Sequence, residues 1–155
     1  MNSADFRKRH LVLIDDDQVY NAVMLRAADL AGVRLDVFTS LADLGSVALL
    51  GRYDAAIVDY QLEQMTGIEV AEYLAVFFKD LPMVLVSQSE NAPTDGRAWP
   101  ASIATFIPKR AGYQYVLEHA AGLCADLRSA EAKQAATRGT ASPPRRAPHP
   151  AKFAG

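Results

Sequence analysis

His10-Leu11-Val12-Leu13-Ile14-Asp15-Asp16-Asp17 is the stretch on which the reading of this chain turns. Four consecutive apolar residues suit a parallel strand covered on both faces, since such a strand has no polar side to alternate with. Three carboxylates follow at once. Two carboxylates about 5 Å apart repel by roughly 3 kcal/mol at an effective dielectric of about 20. Carboxylates gathered at one sheet edge therefore point to a hard cation held there, or to a carboxylate that is modified.

Working outward, strand and helix patterns alternate. Val19, Val23, Ala27 and Leu30 recur at helical spacing, and Gly32 is a helix stop. Leu35 and Val37 alternate with polar neighbours as a more peripheral strand. Ser40 caps an expected helix from Leu41 to Leu50, with Asp43 in its first turn. Ala55 to Val58 reads as the third strand and ends at Asp59. Thr66-Gly67-Ile68-Glu69 is a capping box ahead of Ile68, Ala71, Leu74, Ala75 and Phe78. Met83 to Val86, ending at Ser87, and Ile103 to Ile107, leading to Lys109, complete five strands. Val116, Ala120, Leu123 and Leu127 mark the apolar stripe of a last helix.

This alternation predicts an α/β fold with a doubly wound, five-stranded parallel sheet and right-handed crossovers. Ligands of such sheets sit beyond the carboxyl ends of the strands. Asp15 to Asp17, Asp59, Ser87 and Lys109 all fall there. Between Ser89 and Ser102, Pro93, Gly96 and Pro100 leave at most a short or atypical fourth helix.

Composition bounds the rest. The 155 residues are 50% apolar, enough for one domain with a full core. Through residue 131 there are 11 Lys and Arg against 18 Asp and Glu, a net −7 that argues against a nucleic-acid-binding face. Residues 132–155 carry five basic residues and no acid, among Pro and Ala that cannot build a core. The expected division is an extension over 1–8, a folded domain over 9–130 and a flexible basic tail over 131–155. Cys124 is the only cysteine, which excludes an intrachain disulfide and a cysteine-rich zinc site. No apolar signal segment or membrane-length run is present, so the cytoplasm is the expected compartment. His10, His119 and His149 show no ligand spacing, and Trp99, Tyr113 and Tyr115 are read as packing residues.

In order and spacing these residues resemble the receiver domain of bacterial response regulators over about residues 9 to 130. An acidic pair follows the first strand, and a lone Asp (Asp59) follows the third with Gly67 eight residues on. Ser87 ends the fourth strand, and Lys109 ends the fifth, three residues after Phe106. The resemblance implies the flavodoxin-like strand order 2-1-3-4-5. It implies that Asp59 takes a phosphoryl group from a phosphohistidine on a histidine kinase or histidine phosphotransfer protein. Mg²⁺ would be held by Asp16, Asp59 and the backbone carbonyl of Gln61, with Asp15 acting through water. Lys109 would pair with Asp59 and then with the phosphoryl oxygens. Ser87 would donate to the phosphoryl group and Phe106 would follow it inward as the switch. Such a protein assists its own phosphorylation and dephosphorylation, is no conventional enzyme, and acts through a downstream protein partner, with a second copy of itself (a homodimer) as a further candidate partner. Because no second folded domain follows in the sequence, a single-domain regulator is expected.

The chain also departs from that pattern. Glu63 stands where the family has proline, and Gln88 where it has a small residue. Arg110 replaces the proline that follows the lysine in cis. A cis bond to a non-proline residue costs about 2.5–4 kcal/mol, so Lys109-Arg110 is expected to be trans. These departures motivate an alternative, a degenerate receiver that serves as a phosphorylation-independent interaction module. A second alternative is a phosphatase of the haloacid-dehalogenase type, whose Asp-x-Asp opening also fits Asp15 to Asp17.

Overall fold

The computed structural model describes residues 8–78, 80–93, 96 and 98–123. All lie in the first of two units into which the chain divides, Met1–Ala125 and Asp126–Gly155. The expected basic tail, Cys124, Leu127, His149 and nearly all of the N-terminal extension fall outside the described residues.

Five parallel strands form the sheet: β1 (His10–Ile14), β2 (Arg34–Phe38), β3 (Ala55–Asp59), β4 (Met83–Ser87) and β5 (Ile103–Pro108), in the order β2-β1-β3-β4-β5. The three inner strands are buried along nearly their whole length, as their unbroken apolar runs require. Alternate side chains serve opposite faces. Leu11 and Leu13 pack with Met24, Ala28, Val116 and Ala120 on one side. Val12 and Ile14 pack with Leu50, Ile68, Ala71 and Leu74 on the other.

Among the described residues three α-helices flank the sheet: α1 (Gln18–Ala31), α2 (Gly67–Phe77) and α3 (113–123). The predicted stop of α1 and the predicted start of α2 both hold. Gly32 closes α1 in the left-handed conformation at φ 72°, where a side chain would be strained. The Thr66–Glu69 capping box opens α2 with both of its reciprocal hydrogen bonds.

Two expectations are corrected. The α1 stripe of Val19, Val23, Ala27 and Leu30 is not its core face. The buried residues are Tyr20, Asn21, Met24 and Ala28, while Val19 is 73% and Leu30 82% exposed. No helix spans Leu41 to Leu50 either. Ser40 does accept a hydrogen bond from the Asp43 N–H, but the chain turns at Gly45 (φ 79°) and only then enters a 3-10 segment, Val47–Arg52. The left-handed glycine in mid-segment accounts for the break. Between β4 and β5 the described residues contain no helix, as the prolines predict.

The corrected face of α1 is testable by mutation. Met24→Ala should destabilise the fold by about 2–5 kcal/mol, as truncation of a fully buried side chain does. Leu30→Gln should stay within about 0.5 kcal/mol. Urea unfolding of both variants checks this, and the reverse ranking would restore the original stripe.

Candidate functional site: an acidic pocket closed by a lysine

The register of the sheet sets the site. Ile14 of β1 pairs with Val58 of β3, so Asp15 and Asp59 are the next residues along two adjacent strands. Ser87 ends β4 opposite Pro108 of β5, which puts Lys109 immediately beyond the sheet edge. Carboxylate oxygens of Asp15, Asp16 and Asp59 come within 4.8 Å of one another. The Lys109 ammonium enters the same point, 2.8 Å from Asp15 Oδ2 and 3.6 Å from Asp59 Oδ2, with its side chain 6% exposed. Its nearer partner is thus Asp15 rather than the Asp59 expected from the sequence. The Asp15 contact is one of charge, since Oδ2 of that residue accepts no hydrogen bond of good geometry.

Local backbone chemistry holds the carboxylates in place. Asp15 Oδ1 accepts from the Asp17 N–H at 2.9 Å. Asp17 caps α1 by accepting from the N–H groups of Val19 and Tyr20, which is the helix-start role its position favours. Asn21, buried on the inner face of α1, donates its amide to the Asp15 backbone carbonyl at 2.7 Å. On the other side, the Gln61 N–H donates to the Asp59 carboxylate, and Gln61 bridges to Thr66 in the turn that leads into α2. Gly67 donates its N–H to the Tyr60 carbonyl at 2.8 Å. A Cβ on Gly67 would lie 2.5 Å from the Asp59 carbonyl oxygen and 2.6 Å from Leu85 Cδ1. The eight-residue spacing from Asp59 to Gly67 therefore has a steric cause: only glycine lets α2 start against the end of β3.

Burial and mutual repulsion disfavour charge here. Asp59 is pushed up to about 7, by desolvation first and then by the Asp15 charge, with Lys109 and the Gln61 N–H acting against the rise. Asp15 is also raised, mainly by burial and further by Asp16, against the pull of Lys109. Hard oxygen donors, all carboxylate, with a surplus of negative charge are the chemistry that suits a small divalent cation such as Mg²⁺.

Ser87 is 2% exposed and accepts from the Ser89 N–H at 3.2 Å. Phe106 pairs in register with Leu85, is partly buried, and meets Trp99 edge-on at 6.4 Å. The described residues contain no cis peptide bond, so Lys109-Arg110 is trans, as its sequence requires. Lys109–Ala111 form a 3-10 turn, and exposed Arg110 forms an ion pair with Glu90 across the loops that follow β5 and β4. Glu63 and Gln88 are exposed. A cleft of about 310 Å³ adjoins the pocket, lined by Asp16, Gln18, Thr39, Ser40, Leu62 and Met65 among others.

Sequence reasoning missed two members of this site, Asn21 and Tyr20. The Tyr20 ring lies under the Lys109 ammonium, 4.3 Å from Nζ to the ring centroid. The only signal was their place in the first turn after the acidic run.

This pocket at the carboxyl end of a 2-1-3-4-5 parallel sheet is that of a signal-receiving α/β domain. The response regulator receiver domain model matches residues 11–121, and the chain belongs to that family. The family match sets the acidic run in a receiver domain's acidic pocket rather than at the opening of a phosphatase. No curated protein sequence matches. Among solved structures, a CheY-like receiver domain protein from Methanospirillum hungatei JF-1 is similar at 14% identity and TM-score 0.67, covering 79% of this chain and 98% of its own. The response regulator TrrA from Thermotoga maritima, solved with Mg²⁺ and BeF, is 18% identical with a TM-score of 0.64, over 74% of this chain and 98% of that one. A Burkholderia pseudomallei response regulator with a phosphorylated aspartic acid, calcium ion and citrate is 16% identical with a TM-score of 0.62, over 82% and 75%. No described helix is long and apolar enough to cross a membrane.

The electrostatics predict a pH signature in metal-free buffer. Because folding raises the Asp59 pKa, the folded chain holds more protons than the unfolded one between about pH 4 and 7, and stability falls as pH rises through that window. Asp59→Asn removes the charge and should stabilise the metal-free protein at pH 8 by about 1–3 kcal/mol, with little gain at pH 5. Lys109→Met should destabilise it at pH 8. Thermal melts across pH check both, and a pH-independent Asp59→Asn effect would contradict the assignment.

Proposed function

We propose that this receiver is a Mg²⁺-dependent aspartyl-phosphorylation switch, with Asp59 as the phosphoacceptor, working through contacts with other proteins. The observation that carries the proposal is the convergence of the Asp15, Asp16 and Asp59 carboxylates with one buried lysine ammonium. Asp16 and Asp59 would hold Mg²⁺ directly, with the Gln61 carbonyl, and Asp15 through water. The metal, when bound, supplies charge that stabilises the equatorial oxygens of the phosphoryl group in flight.

The chain's own groups account for the rest. An Asp59 carboxylate oxygen attacks phosphorus, an O–P bond forms as the P–N bond of the donor phosphohistidine breaks, and the imidazole leaves. Lys109 stands 3.6 Å from Asp59 and can follow the new charge on the phosphoryl oxygens. Ser87 Oγ accepts a hydrogen bond from the Ser89 N–H, which leaves its own O–H to donate to a phosphoryl oxygen. Such a shift of Ser87 would open space next to Phe106, which lies on the neighbouring strand and already packs on Trp99.

The donor has a face to meet. Val19, Val23 and Leu30 fall within about 40° of one another around α1 at 3.6 residues per turn. All three are exposed, and the stripe begins two residues past Asp17 at the pocket rim. An apolar stripe next to the reacting carboxylate suits the helical surface of a histidine phosphotransfer protein.

Acetyl phosphate with Mg²⁺ should add one phosphoryl group to the chain, read by intact mass, and none to Asp59→Ala or in the presence of a chelator. Absence of an adduct together with failure to bind beryllofluoride would favour the phosphorylation-independent interaction module. Val23→Glu should slow transfer from a panel of phosphorylated histidine phosphotransfer proteins by at least about tenfold, while its labelling by acetyl phosphate matches wild type. Equal slowing with both donors would show that the stripe is not the docking face.

A further inference from the structure

The pocket contains one aromatic ring that the phosphorylation chemistry leaves unused. Tyr20 is 5% exposed, and its hydroxyl is buried with no hydrogen-bond partner among the described residues. A buried phenol ordinarily finds a partner, so the hydroxyl does not explain the residue. Its ring face does. The Lys109 ammonium sits 4.3 Å above the Tyr20 centroid. Three electron-rich groups surround this ammonium: Asp15 Oδ2 at 2.8 Å, Asp59 Oδ2 at 3.6 Å and the Tyr20 π face. The partly exposed ring of Tyr113 on α3 lies 5.3 Å from that of Tyr20 and backs it on the outer side.

Local structure fixes the ring in that place. The Tyr20 N–H donates to Asp17 Oδ1 at 3.1 Å, and the Asp17 N–H donates to Asp15 Oδ1 at 2.9 Å. A single chain of hydrogen bonds therefore sets the ring and the Asp15 carboxylate together, one below the ammonium and one beside it.

We propose that Tyr20 is a positioning residue for phosphotransfer: its ring face holds the Lys109 ammonium, shielded from water, at the distance from Asp59 at which it meets the incoming phosphoryl group. This rests on the reading of Asp59 as the phosphoacceptor. Cation–π attraction is strongest where the cation is desolvated, and the Lys109 side chain, only 6% exposed on a flexible four-carbon stem, is held by that ring face.

The test compares wild type with Tyr20→Phe and Tyr20→Leu, each checked for folding by circular dichroism and a thermal melt. Two readouts are taken: the Lys109 side-chain Hε shifts by NMR, and the rate of Asp59 phosphorylation by acetyl phosphate with Mg²⁺. In wild type and Tyr20→Phe the Hε resonances should be moved upfield by the ring current, and Tyr20→Leu should return them to ordinary lysine values. Tyr20→Leu should phosphorylate roughly fivefold to tenfold more slowly, and Tyr20→Phe should rescue the rate. A folded Tyr20→Leu that labels at the wild-type rate overturns the proposal, as does a Tyr20→Phe as slow as Tyr20→Leu. If wild type itself takes no phosphoryl group, the phosphoacceptor reading fails; unshifted Lys109 resonances in wild type would then overturn the positioning of the ammonium separately.

Discussion

Charge balance in one buried pocket is the constraint on which this structure depends. Three carboxylates meet within 4.8 Å, and one lysine ammonium reaches them. At an effective dielectric of about 20, each close carboxylate pair repels by roughly 3 kcal/mol and each lysine contact returns about 5. One ammonium therefore offsets the crowding but leaves the fully ionised pocket with a surplus of two negative charges. The protein relieves that surplus in the absence of metal by drawing the Asp59 pKa up to about 7. A divalent cation would relieve it outright.

The rest of the fold brings these groups to one place and holds them there. Parallel register aligns the ends of β1 and β3, and a slip of one residue would carry Asp15 and Asp59 out of line by about 3.3 Å. The α1 cap ties Asp15, Asp17 and Tyr20 into one hydrogen-bonded corner. Gly67 lets α2 begin against the Asp59 backbone, where any side chain would force the two apart. On the far side, the Arg110–Glu90 pair links the loops that carry Lys109 and follow Ser87. The trans link after Lys109 is followed by Gly112 at φ 108°, which turns the chain into α3.

Much of this was legible in the sequence. The inner strands are short apolar runs with carboxylate, hydroxyl or lysine at their ends, and in a parallel sheet those ends share one edge. The side-chain site residues then follow from position alone, and Asp15, Asp16, Asp59, Ser87 and Lys109 fall where expected. The inner face of α1 was not legible. Its buried set includes Asn21, a polar residue turned inward to hold the Asp15 carbonyl, and small Ala28, while Val19 and Leu30 face outward. Hydrophobicity marks a core face only where no other task competes for it, and here the pocket claims one side of the helix and an apolar stripe is left on the other. The expected helix after Ser40 failed at Gly45, whose left-handed backbone no periodicity reveals. Tyr20 was missed because its meaning comes from Lys109, nearly ninety residues later, and sequence spacing carries no signal of that contact.

Diffraction from crystals grown with Mn²⁺ in place of Mg²⁺ and with beryllofluoride tests the central claim most directly, because anomalous scattering locates the metal without reference to the protein. One strong peak is expected within coordination distance of both the Asp16 and Asp59 carboxylates, with beryllofluoride on Asp59 and the Lys109 ammonium against it. Metal at separate sites on Asp16 and Asp59, or a pocket left empty while the ion binds elsewhere, would contradict it.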